Sequence, residues 1–232
     1  MAMEAIYLVA GATGGLGQQI VSRLLRQNKH VRALVRDRLK GRALLGENLE
    51  LAQGDMRQID TLHEAVQNVT TVICVTGTRT SEGGNNPQAV DYEGVRNLAN
   101  AAKGAGVQHF ILVSSLGVTH DDHPLNNMGR VLEWKKKGED ALRASGLTYT
   151  IIRPGGLTDE PGGQRALKLD QGDKISGRIS RADAADIILQ ALHNPHALNA
   201  TFEVIEVEGQ QPDKLDSLFE SLKSDQEAAA NA

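Results

Sequence analysis

Short apolar runs rich in β-forming residues alternate with amphipathic helical patterns along most of this chain, and this alternation limits the folds open to it. The apolar runs, which we interpret as strands, lie at about residues 5–10, 30–36, 49–53, 71–76, 108–114, 147–153 and 202–207. The helical patterns lie near residues 15–28, 58–68, 87–104, 128–146 and 181–193. Helices in such places are the usual crossovers between parallel strands. The sequence therefore predicts an α/β fold with a doubly wound parallel sheet.

The chain has 232 residues, of which 40% are hydrophobic, so it can bury the core of one compact domain. No repeat or interdomain linker is visible, so we expect a single domain over residues 1–209. Residues 210–232 are polar, with four apolar residues at helical spacing: Leu215, Leu218, Phe219 and Leu222. We expect a tail that is partly helical, weakly packed and then disordered, and that is open to a protein partner.

Charge and cysteine content exclude several classes of protein. The formal net charge is −4 and the basic residues form no long block, so no nucleic-acid surface is indicated. The single Cys74 cannot form an internal disulfide, and no run of about 18 apolar residues predicts a membrane span. The N-terminus lacks the basic region of a secretory signal peptide. These features predict a location in the cytoplasm.

A glycine-rich turn follows the first apolar run, in "VAGATGGLGQQIV". It places Gly11, Gly14 and Gly17 three residues apart, directly before a helical pattern. Such a turn lets the backbone approach a pyrophosphate, and the helix N-terminus offers N–H groups and a positive dipole end. The spacing is not the G-x-G-x-x-G of most Rossmann enzymes, and the alternative is an ordinary βα turn. The strand before it and the helix after it favour a dinucleotide site.

The end of the second predicted strand, in "HVRALVRDRLKG", bears on which dinucleotide binds. NAD-binding folds usually carry an acid there for the ribose 2′-hydroxyl, whereas NADP-binding folds carry an arginine. Arg36 comes first in this chain, and its planar guanidinium suits a 2′-phosphate. NADP(H) is therefore preferred. Asp37 leaves NAD(H) open if the strand ends one residue later, and solvated charges at a helix start are the plainer alternative.

Seven motifs follow one another along the chain: "GATGGLG", "ALVRD", "QGDM", "TGTR", "VSSLG", "SGLTYTIIRPGGL" and "ISRADAADIILQAL". Together they resemble the atypical short-chain dehydrogenase/reductase superfamily, in its small NAD(P)H-binding branch. That branch includes biliverdin reductase B (flavin reductase) and plastid and cyanobacterial NADP-binding proteins. The resemblance covers nearly all of residues 4–207. It implies a Rossmann-like fold, for which we expect the sheet order 3-2-1-4-5-6-7.

The resemblance also implies a set of cofactor contacts. The residues that would line the diphosphate are Gly11, Thr13, Gly14, Gly15, Leu16 and Gly17. Arg36 would meet the 2′-phosphate, and the adenine would face Asp55 and Met56. The adenosine ribose and diphosphate would lie along Thr76, Gly77 and Arg79, and the nicotinamide beside Pro154, Gly155, Gly156 and Leu157. A plainer interpretation of each is that strand ends carry such residues to make turns.

Ketone-reducing members of the superfamily usually use Tyr-x-x-x-Lys, in which the phenol donates a proton to the developing alkoxide. The matching lysine here is Lys135, and four residues before it stands Val131. Ordinary tyrosine-dependent chemistry is therefore not expected. Ser114, at the end of the fifth predicted strand, matches the family's substrate-orienting serine, although strand-end serines are often only caps. Lys135 would bind ribose hydroxyls, unless its three-lysine run is a solvated helix face.

The loop "LGVTHDDHPLNNMG" raises the question of a metal site through its two histidines and two aspartates. No matching cluster stands elsewhere in the sequence. We therefore expect no metal, and we interpret this segment as a solvated loop beside the substrate pocket.

Two functions explain these residues. The first is an NADPH-dependent reductase that transfers hydride to a small conjugated acceptor such as a flavin, quinone or bilin. An extended π-system spreads the incoming charge, so the missing tyrosine is not required. The second is a non-catalytic NADP(H)-binding protein that senses redox state or assists the assembly of other proteins. Turnover of NADPH separates the two.

Overall fold

The computed structural model of the protein describes residues 5–78, 84–209 and 215–230. Its strands are β1 (Ile6–Ala10), β2 (His30–Val35), β3 (Glu50–Gln53), β4 (Val69–Cys74), β5 (His109–Val113), β6 (Tyr149–Pro154), β7 (Gly156–Thr158), β8 (Ala166–Asp170), β9 (Arg178–Ser180) and β10 (Ala200–Val207). Its α-helices are α1 (Gly15–Arg26), α2 (Arg38–Leu45), α3 (Val95–Gly104), α4 (Val131–Ala144), α5 (Arg181–Ala191) and α6 (Asp225–Ala230). A π-helix, Gln88–Gly94, runs directly into α3.

The main sheet has eight strands in the order β3-β2-β1-β4-β5-β6-β10-β8. Neighbours from β3 to β10 run parallel, and β8 lies antiparallel on β10 at one edge. The doubly wound sheet is confirmed, with β10 as the seventh parallel strand of the expected order. The strand order reverses between β1 and β4, which places a crevice at their carboxyl ends. The sequence missed β8 and the small β7–β9 sheet, because strands of three to five residues give little periodic signal.

Each face of the sheet carries its own apolar core. Successive residues of β5 point to opposite faces, so Ile111 packs in the cluster that includes Ile20 of α1 and Ile187 of α5. Phe110 packs in the other cluster, which includes Leu98 of α3. All five β5 residues are buried. Such two-sided burial explains why the strands appear in the sequence as continuous apolar runs.

Two helices differ from the sequence prediction. The structure has α2, where the Asp37 carboxylate caps the helix by accepting from the Lys40 N–H at 3.0 Å. The helix predicted at 58–68 is instead a short 3₁₀ helix, Ile59–Thr61, followed by turns. Leu62, Ala65 and Val66 are nevertheless buried. Their helical spacing therefore reflects contact with the core by a chain that turns without forming an α-helix.

The C-terminal segment packs more firmly than expected. A 3₁₀ helix, Leu215–Phe219, precedes α6. Phe219 is completely buried and meets Phe202 of β10 edge-on, with ring centroids 5.6 Å apart. The expected weak packing is therefore corrected, because one aromatic side chain anchors the segment in the core. The division of the chain at residue 209 stays a prediction.

Among the described residues, no helix combines the length and apolar character needed to cross a bilayer.

Candidate active site

The glycine turn joins β1 to α1 at the crevice of the sheet. Gly11 has φ +86°, and a Cβ there would lie 2.9 Å from the Val75 carbonyl carbon. A Cβ at Gly17 would lie 2.1 Å from the Gly11 oxygen, so this position needs glycine for the close approach of helix and turn. Gly14 differs, since within the described part of the chain a Cβ there would meet only the Gly11 oxygen, at 3.3 Å. Gly14 therefore leaves open space in front of the N-terminus of α1.

A continuous cleft runs along the carboxyl ends of the strands. Its first part, here called the β2-side cavity, has a volume of about 380 Å³ and extends from the glycine turn to Arg36 and Asp55. Its second part, the β6-side cavity, has a volume of about 860 Å³ and extends from the turn to Ser114 and Pro154. Gly14 and residues 75–78 line both. The cleft is therefore long enough for an extended ligand that passes across the turn.

The structure places almost every predicted site residue in this cleft. The β2-side cavity is lined by Gly11, Thr13, Gly14, Arg36, Asp55, Met56, Thr76 and Gly77. The β6-side cavity is lined by Gly14, Gly15, Leu16, Gly17, Thr76, Gly77, Ser114, Lys135, Pro154, Gly155, Gly156 and Leu157. Arg79 lies outside the described residues.

Arg36 follows the last residue of β2 and lies at the wall of the β2-side cavity. It is exposed, and its guanidinium donates to the Asn85 side-chain oxygen at 2.7 Å. Asn85 lines the same cavity. The neighbouring Asp37 carboxylate is engaged as the cap of α2. Arg36 is thus the charged group offered to a ligand at the end of this strand.

Asp55 and Met56 form another wall of the β2-side cavity. The Arg57 guanidinium donates to both Asp55 oxygens, with the shortest contact at 2.5 Å. Hydrogen bonds from Arg57 lower the pKa of the Asp55 carboxyl, so it is a carboxylate at neutral pH. Met56 is buried in the core beneath the cavity. A carboxylate at this wall can accept hydrogen bonds from a ligand.

Ser114 lies just after β5, in the β6-side cavity. Its backbone N–H donates to the Ile152 oxygen at 2.8 Å, which fixes the residue against β6. Its Oγ is buried and has no hydrogen-bond partner among the described residues. Buried polar groups are normally satisfied, so the unpaired hydroxyl of this cavity-lining residue is suited to bond a ligand that reaches it.

Lys135 reaches into the β6-side cavity from α4. Its Nζ donates to the Asp91 Oδ1 at 2.7 Å, and the Asp91 side chain is only 1% exposed. Asp91 belongs to the π-helix, and a Cβ at Gly138 would lie 2.1 Å from the Asp91 carbonyl oxygen. Gly138 therefore lets α4 and the π-helix pack closely enough for this ion pair. The pair holds an ammonium group beside Gly77 in the cleft.

No tyrosine lines either cavity among the described residues. Val131 begins α4, one turn before Lys135. Tyr7 lies in the core, Tyr92 stacks on Trp134, and the Tyr149 hydroxyl donates to Asp225 at 2.9 Å. The described part of the cleft therefore offers no phenol as a proton donor.

The loop before α4 contributes to the substrate side of the cleft. His123 and Leu125 line the β6-side cavity. The His120 ring bonds instead to the Asp173 backbone oxygen at 2.9 Å. In the described part of the chain, no group of three or more His, Cys, Asp or Glu side chains is arranged to hold a metal ion.

Several cleft residues were not predicted from the sequence, among them Asn85, Asp159 and Arg181. Asp91, which holds Lys135, was not predicted either. Each is brought to the cleft by tertiary packing and belongs to no glycine or strand-end motif.

A family model described as NAD(P)H-binding matches residues 11–195 of this chain. An uncharacterised chloroplastic protein of Arabidopsis thaliana is 36% identical over 80% of this chain, and Protein TIC 62 of Pisum sativum is 36% identical over 83%. Sanguinarine reductase of Eschscholzia californica is 30% identical, with 94% of this chain and 93% of the reductase covered. The chain spans only 64% of the Arabidopsis protein and 41% of TIC 62.

Solved structures share the fold. A Bacillus halodurans protein described as an NAD-dependent epimerase/dehydratase superposes with a TM-score of 0.81 at 27% identity, covering 94% of this chain and all of that one. ChuY, an anaerobillin reductase of Escherichia coli O157:H7, superposes with a TM-score of 0.76 at 25% identity, covering 88% of this chain and 98% of ChuY.

The predicted cytoplasmic location is wrong. The Arabidopsis and pea relatives are both named chloroplastic, and so is a further Arabidopsis relative that is 56% identical over 95 residues. These relatives point to a plastid.

The glycine turn, the doubly wound sheet and the match over residues 11–195 agree with one another. The chain belongs to the NAD(P)H-binding family of Rossmann-fold proteins and fits its atypical short-chain dehydrogenase/reductase branch.

Proposed function

We propose that the protein is an NADPH-dependent reductase that transfers hydride to a conjugated acceptor such as a flavin, quinone or bilin. The observation that carries this proposal is the continuous cleft, whose smaller β2-side cavity suits a nucleotide and whose larger β6-side cavity suits an acceptor. The β6-side cavity contains the unpaired Ser114 hydroxyl and the Lys135 ammonium that Asp91 holds. Among the described residues, it contains no tyrosine. NADPH, when bound, supplies the hydride. The residues of this chain bind, orient and shield the reactants.

The preference for NADP(H) over NAD(H) rests on Arg36. Its guanidinium is exposed at the rim of the β2-side cavity, where a 2′-phosphate would lie if the diphosphate occupies the glycine turn. A charge-assisted, two-pronged contact suits this phosphate. The Asp37 carboxylate, which would favour a ribose hydroxyl, is held as the cap of α2.

The acceptor class follows from the β6-side cavity. Apolar side chains of Val113, Leu116, Leu125 and Leu157 line it, as expected for a flat hydrophobic ring. Without a phenol, a carbonyl that becomes an alkoxide gains no positioned proton donor, which typically costs about 10²- to 10⁴-fold in rate. A conjugated acceptor delocalises the charge, and water completes the protonation.

Ser114 and Lys135 have separate roles in this proposal. The unpaired Ser114 Oγ donates a hydrogen bond to an acceptor oxygen or to the carboxamide of the cofactor. The Lys135 ammonium, fixed by Asp91, donates to ribose hydroxyls. Both act mainly by positioning, which can contribute several kcal/mol to a two-substrate reaction.

A second candidate is a non-catalytic NADP(H)-binding module that senses redox state or assists protein assembly. The observation in its favour is that the chain matches only 41% of TIC 62 and 15% of the 56%-identical Arabidopsis relative, so such domains occur within longer proteins.

NADPH oxidation by the full chain, followed at 340 nm against menadione, FMN, biliverdin and cyclohexanone, tests the proposal. We expect turnover on at least one conjugated acceptor and a large loss of kcat/KM in Ser114→Ala, with Ser22→Ala, on α1 and outside both cavity linings, as the control. NADPH binding without oxidation on any of these acceptors would favour the non-catalytic candidate.

A further inference from the structure

Arg181 is a charged residue of the cleft that the proposed function leaves without a role. It is the first residue of α5 and lines the β6-side cavity. Its side chain is only 15% exposed, which is unusual for an arginine whose single recorded ion-pair partner, Asp159, is itself 89% exposed. The Arg181 Nη1 donates to the Asp159 Oδ1 at 2.5 Å. The fold therefore holds a guanidinium inward by means of a carboxylate that stands in solvent.

The position of this side chain is set by the glycine turn. A Cβ added at Gly15 would lie 3.1 Å from both Cδ and Nε of Arg181, so the arginine crosses directly over the first turn of α1. The glycine at position 15 gives the guanidinium the room to do so. Backbone N–H groups of this turn have no partner within the helix. The guanidinium and the turn thus present donors to the same space.

The two cavities identify which part of a dinucleotide would occupy that space. Gly15, Leu16, Gly17 and Arg181 line the β6-side cavity and are absent from the lining of the β2-side cavity. With Arg36 at the far end of the β2-side cavity, a dinucleotide would place its adenosine half there. Its second phosphate would then cross the turn beside Arg181.

We propose that Arg181 clamps the phosphate on the nicotinamide side of the dinucleotide and exchanges its bond to Asp159 for bonds to that phosphate. Among the described residues, only Asp159 is recorded as a hydrogen-bond partner of Arg181, so Nε and Nη2 are available to a ligand. The Asp159 side chain is 89% exposed, and an ion pair to a carboxylate in solvent is weak, which makes the exchange easy. Guanidinium contacts to phosphate are short and often bidentate. This inference rests on the proposed occupation of the cleft by NADP(H).

The test compares two ligands, of which only one has the nicotinamide half with the phosphate in question. NADP⁺ carries both phosphates of the diphosphate, whereas adenosine 2′,5′-bisphosphate carries the 2′-phosphate and only the adenosine-side phosphate. Calorimetry on the full-length protein measures both affinities. In Arg181→Gln we expect NADP⁺ to bind roughly 10- to 100-fold more weakly, the range for a hydrogen bond to a charged group, and the bisphosphate to bind within about twofold of wild type.

Two variants serve as controls. Arg178→Gln removes an exposed arginine three residues earlier, outside both cavity linings, and should change neither affinity. Asp159→Asn should tighten NADP⁺ binding slightly and leave the bisphosphate unaffected, because the phosphate no longer competes with a carboxylate. Thermal melting confirms that each variant is folded.

The outcomes are separable. Equal weakening of both ligands in Arg181→Gln, or no weakening of either, overturns the clamp. Unchanged NADP⁺ affinity with a raised KM for FMN but not for menadione also overturns it, since Arg181 would then bind an anionic acceptor. Failure of wild-type protein to bind either ligand would instead contradict the proposed function, whereas wild-type binding with an unaffected Arg181→Gln contradicts only the clamp.

Discussion

At the level of single residues, the three glycines of the turn have different physical reasons for being glycine. Gly11 and Gly17 are required by backbone conformation and close approach, because added Cβ atoms would lie 2.9 Å and 2.1 Å from backbone atoms. Gly14 has φ −77° and ψ 161°, which any residue adopts. Gly14 lines both cavities, so we propose that glycine is needed here to leave room for a ligand.

We expect Gly14→Val to abolish nucleotide binding and to leave the fold intact. The valine side chain would stand in the cleft, where the Gly11 oxygen, at 3.3 Å, is the one atom of the described residues recorded near the new Cβ. Calorimetry with NADPH and circular dichroism measure the two effects. Gly17→Ala is the contrasting variant and should destabilise the fold itself; retained NADPH affinity in Gly14→Val would argue against the site.

Replacing Arg36 with Ala should weaken NADPH binding by about 1–3 kcal/mol and leave NADH binding nearly unchanged, since a charge-assisted contact is lost only with the 2′-phosphate. Titration of both nucleotides provides the measurement. Lys40→Ala, at an exposed position of α2, is the control. Equal affinity of the wild-type protein for NADH and NADPH would show that Arg36 does not read the phosphate.

The site residues that could be predicted from the sequence are those whose neighbours in the chain indicate their role. The glycine turn and Arg36 lie at a strand end followed by a helix, and this context is visible in the chain itself. Asp91 and Arg181 could not be found in this way, because their roles depend on the close packing of α4 on the π-helix and of α5 over the turn. Distant partners leave no local pattern.

At the level of elements, the parallel strands were predictable and the capped helix α2 was not. Strands buried on both faces give continuous apolar runs, as in β5. The helix α2 buries only Gly41 among its residues, so it carries no apolar stripe to reveal it. The reverse error at 58–68 arose because Leu62, Ala65 and Val66 are buried from turns.

The pairing of β5 with β6 contains a buried histidine that makes stability depend on pH. Burial lowers the pKa of His109 to about 4, with a further contribution from the charge of His193, and its Nε2 lies 2.9 Å from the Thr150 Oγ1. An unfolded chain has a histidine pKa near 6.5, so it binds more protons than the native state between these values. The contribution of neutral His109 to the free energy of unfolding is fully present above about pH 6.5 and is lost as the pH falls toward 4.

We therefore expect His109→Gln to flatten the loss of stability between about pH 6.5 and 4, an effect on the order of 3 kcal/mol in the native protein. Urea unfolding at a series of pH values measures it. The exposed His63→Gln should keep the wild-type slope. If the free energy of unfolding of His109→Gln changes with pH as steeply as that of the wild-type protein, the burial of His109 does not cause the pH dependence.

At the scale of the whole molecule, the C-terminal segment belongs to the packed structure. Phe219 lies in the same apolar cluster as residues of α1 and α5. Asp225 of α6 accepts hydrogen bonds from Arg143 of α4, Tyr149 of β6 and Thr201 of β10. The polar composition of this segment concealed its anchoring, because one buried aromatic ring has little weight in an average over residues.

Truncating that ring should destabilise the whole domain. Phe219→Ala removes a fully buried aromatic side chain, for which about 3–5 kcal/mol of unfolding free energy is typical. The exposed Glu220→Ala next to it should have little effect. Chemical denaturation compares them, and a loss below about 1 kcal/mol in Phe219→Ala would support the weakly packed tail that the sequence alone predicted.

In the proposed reaction, the cleft positions NADPH and a conjugated acceptor for hydride transfer without a tyrosine. Single-turnover oxidation of NADPH deuterated on either face of C4, with menadione and with cyclohexanone, measures this most directly. We predict transfer from one face only, slowed by deuterium, with reduction of cyclohexanone about 10²- to 10⁴-fold slower or absent. Robust reduction of the ketone, or tight NADPH binding with no oxidation of NADPH by any conjugated acceptor, would contradict this mechanism.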